Sequence, residues 1–360
     1  MQFNIQKVAP SARRAKPEDE SSLGFGKIYS DHMFLMRWTP QTGWVDGRIE
    51  PYGALSLEPS ALVLHYGQTI FEGLKAYRNP EGTVNLFRPA DNAIRFANSA
   101  ARLDLPQVET QAFIKAVETL VQLDHEWIPR SHGSSLYVRP TMIATEPYIG
   151  LKSASEVLFF IITGPVGAYY PEGFNPVKIT VCEGFSRAGP GGLGAAKTAA
   201  NYAASLLAEK EAIKRGFTQV LWLDAGERRY IEEVGSMNIL FKIDGKVITP
   251  PSGDTILAGI TKNSVLKLLD SWGVPTQEYR LTIDDVLEAH KNGTLEEVFG
   301  AGTAAVISPV GQLEYNGVTY DIGDGGTGPT ALKLFDELIG IQYGTRPDPF
   351  GWITQVAPAG

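Results

Sequence analysis

The sequence predicts a mixed α/β protein of two domains, and three features predict it. Strand-like runs of β-branched and aromatic residues alternate with helical spacing through the first half. A stretch rich in Gly, Pro and Tyr, Gly164 to Pro176, interrupts the chain near its middle. Beyond it, two Xaa-Gly turns, Asp244-Gly245 and Asn316-Gly317, each lie between β-rich runs and predict hairpins in an antiparallel element. With 360 residues the chain is long enough for a small N-terminal domain over 1–168, a linker over 169–180 and a larger domain over 181–360.

In chain order, Leu62 to Gly67 reads as a buried strand, and Phe71 to Arg78 pairs with Thr83 to Arg88 across Asn79-Pro80-Glu81-Gly82. Helical spacing follows in Ala93 to Leu103 and Ala112 to Leu123. Ser135 to Arg139 and Glu156 to Thr163 read as further strands. The second unit opens with the strand Val177 to Cys182, runs through a glycine-rich stretch into a helix over Thr198 to Lys214, and returns as the strand Gln219 to Asp224. Gly259 to Leu269 and Ala331 to Leu338 are helical.

Composition narrows the function classes. A content of 43% hydrophobic and 20% charged residues is that of a globular protein with a real core. A net charge of −8 without a basic block argues against nucleic acid as the main partner and favours small molecules. The single cysteine, Cys182, excludes an intrachain disulfide framework and suits a reducing, cytoplasmic compartment. Arg13, Arg14 and Lys16 are followed at once by Glu18, Asp19 and Glu20, which does not suit a transit peptide. The most apolar run, Val157 to Ile162, is too short to span a bilayer. None of the five histidines falls in a zinc-binding pattern, so no metal is expected.

The chemistry concentrates in Ser186-Arg187-Ala188-Gly189-Pro190-Gly191-Gly192-Leu193-Gly194-Ala195-Ala196-Lys197-Thr198-Ala199-Ala200-Asn201-Tyr202. A lysine amine withdrawn from water among small residues is a candidate nucleophile, able to form an imine with an aldehyde such as that of pyridoxal phosphate. Such a cofactor is an electron sink when a carboxylate keeps its pyridine nitrogen protonated, and Tyr230-Ile231-Glu232-Glu233-Val234-Gly235-Ser236-Met237-Asn238 supplies one. Adjacent side chains of a strand point to opposite faces, so only one of the two glutamates can serve and the other is expected to be solvated. A rival stands beside this reading. Gly189, Gly191 and Gly194 satisfy the dinucleotide pattern G-x-G-x-x-G, with Asp224 ending the next strand, although further along than the usual spacing of about 20 residues.

The run Leu64-His65-Tyr66, Phe71-Glu72-Gly73-Leu74-Lys75-Ala76, Tyr137-Val138-Arg139-Pro140-Thr141, Thr145-Glu146-Pro147, the lysine segment, Glu233 to Asn238, Gly259-Ile260-Thr261 and Gly302-Thr303-Ala304 resembles the branched-chain amino-acid aminotransferases in order. These are pyridoxal 5′-phosphate enzymes of fold type IV, so the resemblance implies a larger domain with a barrel-like sheet and a homodimer. It implies reversible amino transfer between L-leucine, L-isoleucine or L-valine and 2-oxoglutarate, with glutamate and branched 2-oxo acids as the other partners. Lys197 would be the Schiff-base lysine, Glu233 the carboxylate at the pyridine nitrogen, and Tyr202 the phenol at the cofactor's O3′. Arg95, Arg187, the amides of Ile260 and Thr261, and Thr303 would hold the phosphate. The substrate would meet an aromatic cage of Tyr66, Phe71, Tyr137 and Tyr169, with Arg139 for the glutamate side chain. Thr303-Ala304 and Ser236 would receive its α-carboxylate, and Leu151, on the apolar loop Tyr148 to Leu151, would reach in from the neighbouring subunit. Ala305-Val306-Ile307-Ser308 stands where mammalian relatives carry a redox-active cysteine pair, so regulation of that kind is not expected. A D-amino-acid aminotransferase or an aminodeoxychorismate lyase on the same fold, a nicotinamide dehydrogenase, and a non-catalytic amino-acid-binding protein remain as alternatives.

Overall fold

The computed structural model describes residues 2–167 and 174–357. In chain order the elements are β1 (Asn4–Ile5), β2 (His32–Thr39), β3 (Gly43–Pro51), α1 (Leu62–Tyr66), β4 (Thr69–Phe71), β5 (Leu74–Arg78), β6 (Val84–Phe87), α2 (Pro89–Arg102), α3 (Thr110–Leu123), β7 (Ser135–Ala144) and β8 (Val157–Val166). There follow β9 (Val177–Cys182), α4 (Ala199–Lys214), β10 (Gln219–Leu223), β11 (Ile231–Val234), β12 (Met237–Ile243), β13 (Lys246–Thr249), α5 (Ile260–Ser271), β14 (Thr276–Glu278) and α6 (Ile283–Lys291). The chain closes with β15 (Leu295–Gly302), β16 (Val306–Tyr315), β17 (Val318–Asp321), α7 (Pro329–Tyr343) and β18 (Ile353–Val356). No described helix is long and apolar enough to cross a membrane.

Two compact units form. The first comprises residues 1–171, 196–199 and 339–360, the second 172–195 and 200–338. This departs from an uninterrupted division at 168 and 181. The C-terminal strand β18 pairs with β6, and the four residues around Lys197 belong with the N-terminal unit. Part of the expected linker lies outside the described residues, and its far end is already strand β9.

The first unit is a sheet in the order β1-β3-β2-β8-β7-β5-β6-β18, with β4 added to β7. Its strands alternate as a sheet packed on one face requires. Along β7, Leu136, Val138 and Met142 enter the core while Tyr137, Arg139 and Thr141 are only half-buried. Helices α2 and α3 cover the core face, because Ala93, Phe96 and Ala100 on one and Phe113, Ala116, Val117 and Leu120 on the other recur at helical spacing. Phe96 packs against Phe113 and Phe159 with ring centroids 5.4 and 5.3 Å apart. Full burial of each such ring contributes about 1.5–3 kcal/mol.

One expected strand is a helix. Leu62 to Gly67 forms α1, ended by Gly67 in the left-handed conformation (φ 61), whose N–H returns to the Val63 carbonyl at 3.2 Å. A short apolar run has no period that separates strand from helix. Here the glycine cap decides, and only Leu62 of the helix is buried, Leu64 and Tyr66 being exposed.

In the second unit six strands close on themselves in the order β11-β10-β9-β16-β15-β12, with β12 pairing back to β11. Beyond β12 the sheet continues to β13 and β14, and β17 pairs with β16. Both expected hairpins are present. Asp244-Gly245 joins β12 to β13 and Asn316-Gly317 joins β16 to β17, all four residues having positive φ as the tight primed turn demands. Parallel β9 and β10 are linked through the glycine run and α4, which is why that segment mimics a dinucleotide-binding crossover.

Candidate active site

The candidate residues divide between the units. In the first, the backbone of Lys197 is fixed on three sides. Its N–H donates to Ser99 Oγ at 2.9 Å, its carbonyl accepts from the Phe71 N–H at 3.0 Å, and Thr198 bridges to Ile70 while its hydroxyl donates to the Thr69 carbonyl at 2.7 Å. The half-buried lysine is thus held along the edge of β4, and its Nζ lies 5.0 Å from the centre of the Phe71 ring.

Phe71, Tyr137 and Arg139 gather in the same unit. Tyr137 and Arg139 are two apart on β7 and share its outer face, and Phe71 pairs with Thr141 on the adjoining strand. Arg139 Nη2 donates to the Tyr137 hydroxyl at 2.9 Å, and the guanidinium stands 4.6 Å from the Phe71 ring centre and 5.2 Å from that of Tyr137. A planar cation on aromatic faces keeps its charge while contacting apolar surface.

Arg95 is oriented by a residue the sequence left without a role. Glu72, fully buried, accepts from Arg95 Nε at 2.7 Å and from Nη2 at 2.8 Å, and also from the Gly73 N–H at 3.1 Å. Such a fork fixes the guanidinium plane and commits part of its five-donor set. Phe25 is a second residue the sequence did not single out. It packs edge-on against Tyr137, centroids 4.9 Å apart, from the segment Gly24-Phe25-Gly26 with no local pattern to mark it. Tyr66 ends α1 in an exposed position, and Leu151 is 85% exposed on the loop between β7 and β8. Tyr169 lies outside the described residues.

In the second unit, Glu233 on β11 is 3% exposed. Its Oε1 accepts from the Leu257 N–H at 3.0 Å and from Asn238 Nδ2 at 3.3 Å. Arg187 Nε lies 2.8 Å from its Oε2, a close ion pair in which the N–H is not aimed at the oxygen. Arg187 also donates through Nη2 to the carbonyls of Thr255 and Gly194. These contacts tie Arg187 to Glu233 and to the loops that carry Gly194 and Thr255. They offset the loss of water around a buried carboxylate.

Glu232 corrects the expectation of a solvated neighbour. It is 5% exposed, its Oε2 has no hydrogen-bond partner, and burial pushes its carboxyl above the ordinary range against the opposing effects of Thr255 and Arg187. Alternation holds, but a strand in a closed sheet covered on its outer side buries both faces.

The remaining residues of this unit sit at element ends. Ile260 and Thr261 open α5 behind the N-cap Gly259, which brings no capping side chain. A Cβ at Gly259 would collide with Asn238 Oδ1, so the glycine keeps both the helix N-terminus and the Glu233 partner in place. Helix N-termini favour anions through their oriented amides. Ser236 is exposed in the β11–β12 turn, and Tyr202 is half-buried in the first turns of α4. Thr303 and Ala304 form the β15–β16 turn, which ends at Val306 with φ 63 although its side chain is 3% exposed. A β-branched residue in that conformation is strained, by about 1–3 kcal/mol, and is held there by its pairing with Gly302.

The dinucleotide reading does not survive the geometry. Asp224 accepts N–H groups of Gly226, Glu227, Arg229 and Tyr230, so its carboxylate closes a turn and is not offered to a ribose. The glycine run is laid against Asp254, which takes the Gly191 N–H on its side chain and the Ala195 N–H on its carbonyl.

Comparison with known proteins agrees with this. Residues 69–313 match the family Amino-transferase class IV. Branched-chain-amino-acid aminotransferase 2 of Bacillus subtilis (strain 168) is 51% identical over 347 residues, 96% of this chain and 95% of that protein. The Escherichia coli branched-chain amino acid aminotransferase structure aligns with a TM-score of 0.75 at 25% identity, covering 91% of this chain and 99% of that one. A T.th. branched-chain amino acid aminotransferase, complexed with N-(5′-phosphopyridoxyl)-L-glutamate, aligns with a TM-score of 0.72 at 26% identity, covering 89% and 97%. The chain belongs to the class IV aminotransferases and is a branched-chain amino-acid aminotransferase.

Proposed function

We propose that this aminotransferase works through pyridoxal 5′-phosphate carried on Lys197, with 2-oxoglutarate and glutamate as the partners of the branched-chain substrates. The observation that carries the reading is the three-sided fixing of the Lys197 backbone beside Phe71, which presents one amine from a rigid edge. The donor sets suit the cofactor. Glu233 is a buried carboxylate with three supporting groups, Arg95 is a pre-oriented cation, and α5 begins behind a glycine N-cap that brings no capping side chain. When bound, pyridoxal phosphate supplies an aldehyde for the substrate amine and a ring that withdraws electrons from the substrate Cα.

The side chains do the rest. Lys197 would hold the cofactor through its amine and, with that amine free, would move a proton to and from the substrate Cα. Glu233 would accept the pyridine N–H, and Arg187, paired with Glu233, would be one of the cations for the phosphate. Arg95, Thr303 and the amides of Ile260 and Thr261 take the phosphate, and Tyr202 the O3′ oxygen. The α-carboxylate goes to the Thr303-Ala304 turn and Ser236. Tyr66, Phe71, Tyr137 and Tyr169 enclose the aliphatic side chain, Arg139 meets the second carboxylate of glutamate, and Leu151 closes the site of the other subunit in a homodimer. A cytoplasmic setting fits the lone cysteine. Visible absorbance of the purified protein, recorded before and after L-leucine, tests the reading. The cofactor band should convert to the shorter-wavelength amine form with leucine and return with 2-oxoglutarate, whereas a colourless protein or a response to D-alanine alone would overturn it.

A further inference from the structure

A substrate face that must accept both leucine and glutamate has conflicting needs. An aliphatic side chain gains nothing from dehydrated cations, whereas a second carboxylate requires them. Arg139 is one such cation, permanently charged. A second cation lies across the same sheet face. Lys75 on β5 pairs directly with Tyr137 in the antiparallel ladder, so the two share a face. Its chain neighbours Leu74 and Ala76 point the other way into the core. Lys75 is 6% exposed, so its amine is withheld from water on the side that carries Tyr137 and Arg139. Tyr137 thus stands between the two, joined to Arg139 along β7 by the 2.9 Å hydrogen bond and facing Lys75 across to β5. The strand on the other side of β5, Val84–Phe87, contains no titratable residue.

We propose that Lys75 is a second counter-charge for the distal carboxylate of glutamate and 2-oxoglutarate, acting with Arg139 on either side of Tyr137. The inference rests on the transaminase reading above and adds to it a specificity-determining residue. A lysine suits this position better than a second arginine. Burial lowers the Lys75 amine to about 8, so it gives up its proton at little cost when an aliphatic side chain fills the face and is charged when a carboxylate enters.

Half-reactions of the holoenzyme with L-glutamate and L-leucine, measured separately, test this. Wild-type turnover of both amino acids first secures the transaminase reading; without it both proposals fall. Lys75→Met and Lys75→Gln, both long and unbranched, should then lower the glutamate-to-leucine ratio of kcat/KM about tenfold or more, while Lys75→Arg, which stays charged, should keep kcat/KM for glutamate within about threefold and not lower the ratio. Calorimetric binding of glutarate against 4-methylvalerate, which differ in the second carboxylate, should shift in the same sense without any turnover. An unchanged ratio in whichever neutral variant folds, or parallel losses for both substrates and both ligands, would assign Lys75 to the sheet and overturn the proposal.

Discussion

Glu232 and Glu233 show what one position along a strand decides. Both are buried, but three groups support Glu233, whereas one oxygen of Glu232 is unpartnered and burial favours its neutral form. Glu233→Gln should keep the cofactor attached yet lower kcat by about 10²-fold or more, because a neutral amide no longer holds the pyridine proton. Glu232→Gln, isosteric with a neutral acid, should change stability by no more than about 1 kcal/mol in urea unfolding. Greater damage to kcat from the Glu232 change would reverse the assignment. Lys197 and Glu233 stand out in the sequence as candidates because chemistry and motif coincide in short segments. Glu72, Phe25 and Lys75 do not, since what distinguishes each is a partner on another strand or helix: Arg95 lies 23 positions from Glu72, and Lys75 meets Tyr137 only through strand pairing.

Among the elements, the hairpins were legible because Asp-Gly and Asn-Gly specify backbone angles locally, while α1 reads as a strand because its short, largely apolar run of five residues has no period of its own. The Asp224 turn after β10 illustrates an element end fixed by one side chain. Burial alone would raise this carboxyl, but the backbone N–H groups of Glu227, Tyr230, Arg229 and Gly226 outweigh it and hold it below the usual range. A group lowered in the folded state contributes stability above its unfolded value, about pH 4, and loses it as the pH falls through the folded one. Asp224→Ala should therefore cost about 1–3 kcal/mol at pH 7, with the difference from wild type shrinking in thermal unfolding toward pH 3. A constant difference across that range would mean that the turn depends on packing and not on the charge. At the start of α5, Gly259→Ala should weaken cofactor binding in absorbance titrations, because the added methyl displaces Asn238 from Glu233. Unaltered affinity would remove Asn238 from the account.

At the scale of the molecule, the chain's return to the first unit at 196–199 and 339–360 was beyond sequence reading, because it depends on pairings such as β18 with β6 across most of the chain. The two antiparallel hairpins within the mixed second sheet were legible from their turns. The exposed loop bearing Ile149 and Leu151, 71% and 85% accessible, gives the proposed homodimer its sharpest test, since apolar tips of this kind favour a partner surface. Leu151→Arg and Lys197→Ala should each be nearly inactive alone and complement when refolded together. With random pairing, half the dimers are mixed and half their sites intact, so about a quarter of wild-type activity should return. No gain despite confirmed chain exchange would place Leu151 at its own subunit's site or in an unrelated contact. The central claim, that Lys197 carries the cofactor, is tested most directly by borohydride reduction of the purified enzyme followed by peptide mass mapping. The mass of the reduced cofactor should fall on the peptide containing Lys197; label on Lys75, Lys210 or Lys214 instead, or no label on a coloured protein, would contradict the account.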